Sequence, residues 1–142
     1  MTANSIVLSY LSPDYQVNLP RHLDDFVGDF NNIQDQTTYD NGYSAHYFRD
    51  GLVITTLHSE VRWLAVEMWN FEQQTVIEEE KISKSTCMHT ILKILLRNWP
   101  NTFRLNPERT TCDYLCIETK KGAYGYFDLD AGTLWKISVH ID

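Results

Sequence analysis

The stretch Tyr43–Phe71, YSAHYFRDGLVITTLHSEVRWLAVEMWNF, decides how the chain folds. Two runs rich in β-branched and aromatic residues, Tyr43–Arg49 and Leu52–His58, flank Asp50-Gly51. That pair suits a two-residue type I′ turn, whose central residues both need positive φ. The reading predicts a hairpin in which Arg49 faces Leu52, His46 faces Thr55 and His58 faces Tyr43. His46 and His58 then fall on opposite faces. The next run, Val61–Phe71, places Trp63, Ala65, Glu67, Trp69 and Phe71 on one face and Leu64, Val66 and Met68 on the other. Apolar residues on both faces predict a central strand.

Towards the N-terminus, Ser5–Tyr10 is β-branched and apolar and reads as a strand. Ser12-Pro13-Asp14 is a turn. Asn18 can cap a following helix, and Pro20 fits a first turn, where a missing N–H is tolerated. Leu19, Leu23, Phe26, Val27, Phe30 and Ile33 recur at helical spacing, with Asp24, Asp25 and Asp29 off the stripe and Gly28 in its middle. Gln34–Asn41 reads as a polar loop.

Towards the C-terminus, Thr75–Ile82 reads as a polar, solvent-facing or edge strand carrying Glu78, Glu79 and Glu80. A second helix begins after Ser83 or Ser85 and stops at Pro100. Its buried stripe is Met88, Ile91, Leu92, Leu95 and Trp99, widened by Ile94 and Leu96. Asn101–Thr111 is a loop. Three strands follow, Cys112–Lys120, Ala123–Leu129 and Leu134–Ile141. The order is β-α-β-β-β-β-α-β-β-β. Short β-to-β connections demand antiparallel pairing, so the fold expected is α+β, a mostly antiparallel sheet with two helices packed on one face. No repeat, low-complexity segment or linker divides residues 1–142, which read as a single globular domain.

The chain has 142 residues with 43% apolar and 22% charged side chains, ordinary values for a protein with a core. Its net charge of −7 is unevenly spread: residues 1–80 hold 13 acids and three bases, residues 81–142 six acids and nine bases. A field of that sign repels nucleic-acid phosphates and anionic lipid heads. No apolar run is long enough for a leader or a membrane span, so the expected location is cytoplasmic, with no membrane partner and no direct nucleic-acid partner. Three cysteines make an odd count, which argues for reduced thiols.

Enzyme signatures are missing. There is no nucleophile elbow, no phosphate-binding glycine loop and no Cys-x-x-Cys knuckle. Cys112 and Cys116 would lie about 13 Å apart in a strand, too far to share one zinc. The expectation is no metal, no cofactor, no catalytic residue and, on balance, no enzyme. Cys87, at the start of the second helix and two residues from His89, is the thiol best placed for a lowered pKa.

Two functional readings remain. In the first, Asp24, Asp25, Asp29, Asp35, Asp40, Glu78, Glu79 and Glu80 form an acidic docking face, with Tyr39, Tyr43 and Tyr47 as aromatic anchors. In size, composition and α+β layout such a chain is similar to immunity proteins that neutralise a toxin and to phage inhibitors of host nucleases. The partner would be a basic protein, a toxin or nucleic-acid enzyme. In the second reading, Trp63, Trp69 and Tyr126 line an aromatic pocket around Glu67, with Arg62, Lys136 or a tyrosine hydroxyl as its partner, in a small ligand-binding domain or enzyme. Membership of a larger assembly or a homo-oligomer is a third.

Overall fold

The structure is a computed structural model that describes residues 2–26 and 33–141. Helix α1 (Ala3–Leu11) opens the chain. Strands β1 (Asp35–Thr38), β2 (Tyr43–Tyr47), β3 (Leu52–Leu57) and β4 (Glu60–Glu67) follow. A small hairpin, β5 (Thr75–Ile77) and β6 (Glu80–Ile82), leads to helix α2 (Met88–Asn98). Strands β7 (Arg104–Leu105), β8 (Tyr114–Lys120), β9 (Ala123–Asp128) and β10 (Thr133–His140) complete the chain. Eight strands make one sheet in the order β1-β2-β3-β4-β10-β9-β8-β7, with every pair antiparallel. Two meanders, β1–β4 and β7–β10, thus meet at the β4–β10 pair. The α+β class and the mostly antiparallel sheet agree with the sequence. No helix among the described residues is long and apolar enough to cross a membrane.

One face of the sheet is covered by both helices. Leu52, Ile54, Leu64, Val66, Ile117, Phe127, Leu134, Ile137 and Val139 meet Ile6, Val7, Tyr10 and Leu11 of α1 and Ile91, Ile94 and Leu95 of α2 in a single apolar core. Full burial of such side chains contributes roughly 1.5–3 kcal/mol each before chain entropy is counted. Leu96, expected in the buried stripe of α2, points to solvent with 56% exposure.

The first element differs from the sequence reading: Ser5–Tyr10 is helical. A capping box starts the helix, with the Thr2 hydroxyl accepting from the Ser5 N–H and the Ser5 hydroxyl accepting from the Thr2 N–H. Ile6 and Tyr10 are one helical turn apart, as are Val7 and Leu11, so the β-branched run forms a wide helical stripe rather than an alternation. Ser12 ends it in an extended conformation, the one that Pro13 imposes on the residue before it.

The second difference lies at Leu19–Ile33. Arg21 accepts a hydrogen bond from the Val61 N–H at 2.7 Å, and Leu23 donates to Ser59 at 3.3 Å. The segment therefore clips onto the start of β4 in extended form, and only Leu23–Phe26 turns, as a 3-10 helix. Val27, Gly28, Asp29 and Phe30 of the expected helix lie outside the described residues. Two further segments also differ from the expectation. Gln34–Asn41 contains β1, whose four exposed polar residues suit an edge strand. Thr75–Ile82 is a hairpin rather than one strand, because Glu78 and Glu79 both take positive φ.

The β2–β3 register is shifted by one residue. His46 faces Ile54 and Tyr43 faces Leu57, since Arg49, Asp50 and Gly51 form a three-residue loop. Gly51 is required there: its φ is +76°, and a Cβ would stand 2.2 Å from the Glu67 carbonyl oxygen. The shift buries His46, with Nε2 3.2 Å from the Thr56 hydroxyl, while His58 enters the β3–β4 turn at positive φ.

Two predictions concern this core. Tyr10 crosses from α1 to the sheet and donates to the Ile117 carbonyl at 3.0 Å; burial raises its phenol pKa well above the usual range, helped by Cys116. Its ring lies against Gly125, where a Cβ would meet the Tyr10 hydroxyl at 2.2 Å. Gly125→Ala is expected to cost about 1–3 kcal/mol of stability by overpacking. Urea unfolding checks this, and a loss under about 0.5 kcal/mol would contradict the packing. Burial also lowers the His46 pKa below its usual 6.5. Folding favours neutral imidazole, so this contribution is complete above pH 6.5 and is lost as pH falls through that value towards the folded pKa. Thermal unfolding from pH 7 to 5 should therefore show a shallower decline for His46→Gln than for wild type. Parallel declines would refute the assignment.

Candidate functional site

The second face of the sheet carries no helix among the described residues. Its first half is a cleft of about 580 Å³ lined by Tyr39, Asn41, Tyr43, Ala45, Tyr47, Val53, Thr55, Trp63, Ala65, Glu67 and Lys136. The two-residue period of the strands builds it. On β2, β3 and β4, Ala45, Val53, Thr55 and Ala65 alternate with core-facing residues and form a floor of small side chains. Large rings stand around that floor. Tyr43 and Trp63 lie together, centroids 5.6 Å apart and planes tilted 34°. Tyr39 and Tyr47 stand on the β1–β2 side, where the chain turns back from β1 (Tyr39 donates to the Tyr43 carbonyl at 2.8 Å).

Glu67 and Lys136 close the cleft at the seam between the two meanders. They are direct partners across β4 and β10. Partial burial raises the Glu67 carboxyl above its usual range, against the opposing pull of Lys136 and of hydrogen bonding with Asn70. Burial lowers the Lys136 ammonium, and Glu67 acts to raise it. Tyr47 is also raised, first by burial and then by the charges of Tyr39 and Glu67. A carboxylate and an ammonium thus meet at one end of an aromatic trough.

The other half of this face is occupied. The loop after β7 folds over it and sets the Arg109 guanidinium 4.2 Å above the Tyr124 ring, with Nη1 donating to the Tyr126 hydroxyl at 3.2 Å. Tyr126, assigned on sequence to the pocket around Glu67, is therefore capped by Arg109; it neighbours Lys136 across β9 and β10 without lining the cleft. Glu118 is buried here and accepts from Arg104 at 2.8 and 3.2 Å and from Asn106 at 3.3 Å. Trp69 is also outside the cleft. It sits in the 3-10 turn after β4 and stacks on Trp135 at 5.0 Å, which stacks on Tyr114 at 4.3 Å. Of the four residues read as the pocket, Trp63 and Glu67 come together and Trp69 and Tyr126 lie beside it.

The acidic residues are dispersed. Asp24 and Asp25 are in the 3-10 turn beside the β3–β4 connection, Asp35 is on β1 and Asp40 follows it. Glu78, Glu79 and Glu80 sit on the β5–β6 hairpin, with Glu78 paired to Arg97 of α2 at 2.7 Å. Asp29 lies outside the described residues. Tyr39, Tyr43 and Tyr47, grouped with these acids on sequence grounds, are cleft residues. Sequence reasoning missed the small-residue floor and Arg109. The floor has a signal, small side chains at alternate positions between large rings; Arg109 has none, because a loop brings it back.

The three thiols have different surroundings. Cys116 is buried on β8, and burial pushes its pKa up to about 11. Cys87, exposed at the start of α2, has its thiol lowered by the Thr90 hydroxyl 3.4 Å away and by backbone N–H groups. Cys112 is exposed in the loop before β8. In native protein at pH 8, iodoacetamide should label Cys87 readily and Cys112 as an open thiol, while Cys116 reacts only after denaturation. Peptide mass spectrometry checks this; native labelling of Cys116 at the rate of Cys87 would contradict its burial.

No protein-family model matches the sequence, and no curated protein matches it. Among solved structures, a cysteine-rich secretory protein from Staphylococcus aureus is similar over 85% of this chain, at 13% identity with a TM-score of 0.49. The chain spans 42% of the length of that protein. A likeness of this size carries no functional weight.

Proposed function

We propose that the chain is a small-ligand-binding domain whose site is the open-face cleft bounded by Tyr39, Tyr43, Tyr47 and Trp63, with Glu67 and Lys136 at its polar end. One observation carries the reading: a half-buried, charge-bearing pair closes an aromatic trough of about 580 Å³. That volume lies within the roughly 300–1,000 Å³ typical of small-molecule sites, which likewise combine apolar walls with a few convergent polar groups. Keeping a carboxylate and an ammonium partly out of water costs free energy, and a ligand that pairs with both recovers it.

The docking of a basic protein on an acidic face draws its support from the net charge alone. Its residues ride on separate elements, and one of them already holds Arg97. The two readings separate by mutation. In a screen of flat aromatic compounds followed by Trp fluorescence, Trp63→Ala should weaken binding of a hit about fivefold or more, the effect of losing roughly 1–3 kcal/mol of stacking. Asp24→Lys/Asp25→Lys should leave that affinity within about twofold. The opposite pattern, binding lost with the acids and kept without Trp63, would overturn the ligand-cleft reading.

A further inference from the structure

We infer that the cleft takes a planar fused heterocycle with a lactam edge, the guanine-type arrangement of a carbonyl beside ring and exocyclic N–H groups, as a free base or nucleoside. The inference rests on the ligand-cleft reading above.

The floor and walls select the body of the ligand. Ala45, Val53, Thr55 and Ala65 form a floor of small side chains, and Tyr43, Tyr47 and Trp63 wall it with aromatic surface, Trp63 being itself packed against the rings of Tyr43 and His140. A flat π-system stacks well there whatever its substituents. Trp63 and Glu67 are four residues apart on β4, about 13 Å along the strand. Once the side chains take their share, that length suits a bicyclic ring.

The polar end selects the edge. Ionised Glu67 is acceptor-only and charged Lys136 is donor-only. Being direct strand partners, they present acceptor beside donor. The complement is a ligand edge with donors beside an acceptor in one plane. A guanine-type edge gives its ring N–H and exocyclic amino group to the two carboxylate oxygens and its carbonyl to the ammonium. An adenine-type edge has one amino donor and a ring nitrogen, which leaves a carboxylate oxygen unpaired.

Charge narrows the class further. Glu67 and Lys136 together bring no net charge to the cleft and so call for no net charge on the guest, and a chain of net charge −7 opposes a polyphosphate. A neutral base or nucleoside meets neither objection.

The test is calorimetric titration of guanosine and adenosine into the full chain as wild type, Glu67→Gln and Trp63→Ala, with circular dichroism confirming that each variant is folded. Guanosine should bind at least about tenfold tighter than adenosine, the worth of one charge-assisted hydrogen bond. Glu67→Gln should bring the two within about threefold, and Trp63→Ala should weaken both. Equal binding of the two nucleosides, lost in Trp63→Ala, would overturn the lactam inference and leave the cleft reading standing. So would failure of both nucleosides while another screened aromatic binds and depends on Trp63. Absence of any Trp63-dependent ligand would overturn both.

Discussion

Everything in this molecule is arranged around the pairing of β4 with β10. Each meander of four strands could form locally, from neighbours in sequence. Neither would have a wide enough apolar face to hold two helices. Joining them edge to edge, with Val66 opposite Ile137 and Leu64 opposite Val139, produces one broad apolar surface on which α1 and α2 pack. The same register fixes the other face without choice, because a one-residue slip would exchange the faces along the whole strand. Glu67 must then stand beside Lys136, and Trp63 beside His140, whose rings stack at 5.6 Å. The polar pair of the cleft is thus a consequence of the pairing that builds the core.

The two halves of the open face show what such a surface needs. Over β8 and β9 the chain covers its own rings: Arg109 lies on Tyr124 and holds Tyr126, and Glu118 Oε2 accepts from both Arg104 and Asn106. Over β2, β3 and β4 no such cover is found among the described residues, and the floor is trimmed to small side chains. One half of this aromatic face is closed by Arg109, and the other is left as a trough that ends in a partly desolvated carboxylate and ammonium. Exposed apolar concavity flanked by polar groups marks interaction sites more often than chance surface does.

Much of this fold was legible because strand periodicity is written residue by residue. The alternation from Trp63 to Glu67 gave the right faces of β4, and the hydrophobic stripe with its terminal Pro100 gave α2. Errors came where a long-range partner overrides local preference. Ile6 and Val7 favour a strand in isolation, yet a capping box and two neighbours to pack against make them helical. Leu19–Leu23 has helical spacing, but the free backbone groups at the β3–β4 turn capture it. Glu78 and Glu79 form a tight turn without the glycine or asparagine that announces one. The one-residue shift at Asp50-Gly51 arises because Gly51 must lie against the Glu67 carbonyl, a contact with no local sequence signal.

The cleft was half legible for the same reason. Trp63 and Glu67 share a strand, so their common face follows from spacing alone, and an acid between tryptophans is conspicuous. Lys136 lies far along the chain, and only the β4–β10 register makes it the neighbour of Glu67 rather than Arg62. Arg62 turns at a bulge, where Thr55 pairs with Trp63 but Thr56 with Val61, and its carboxylate partner is Glu60 at 3.4 Å. That irregularity matters to the chemistry. Had the ladder run on without it, the residues N-terminal to Trp63 would fall on the opposite faces, placing Val61 towards the open face and removing it from the core. The bulge therefore lets one strand close the apolar core at its start and present an aromatic, carboxylate-bearing face along the rest of its length.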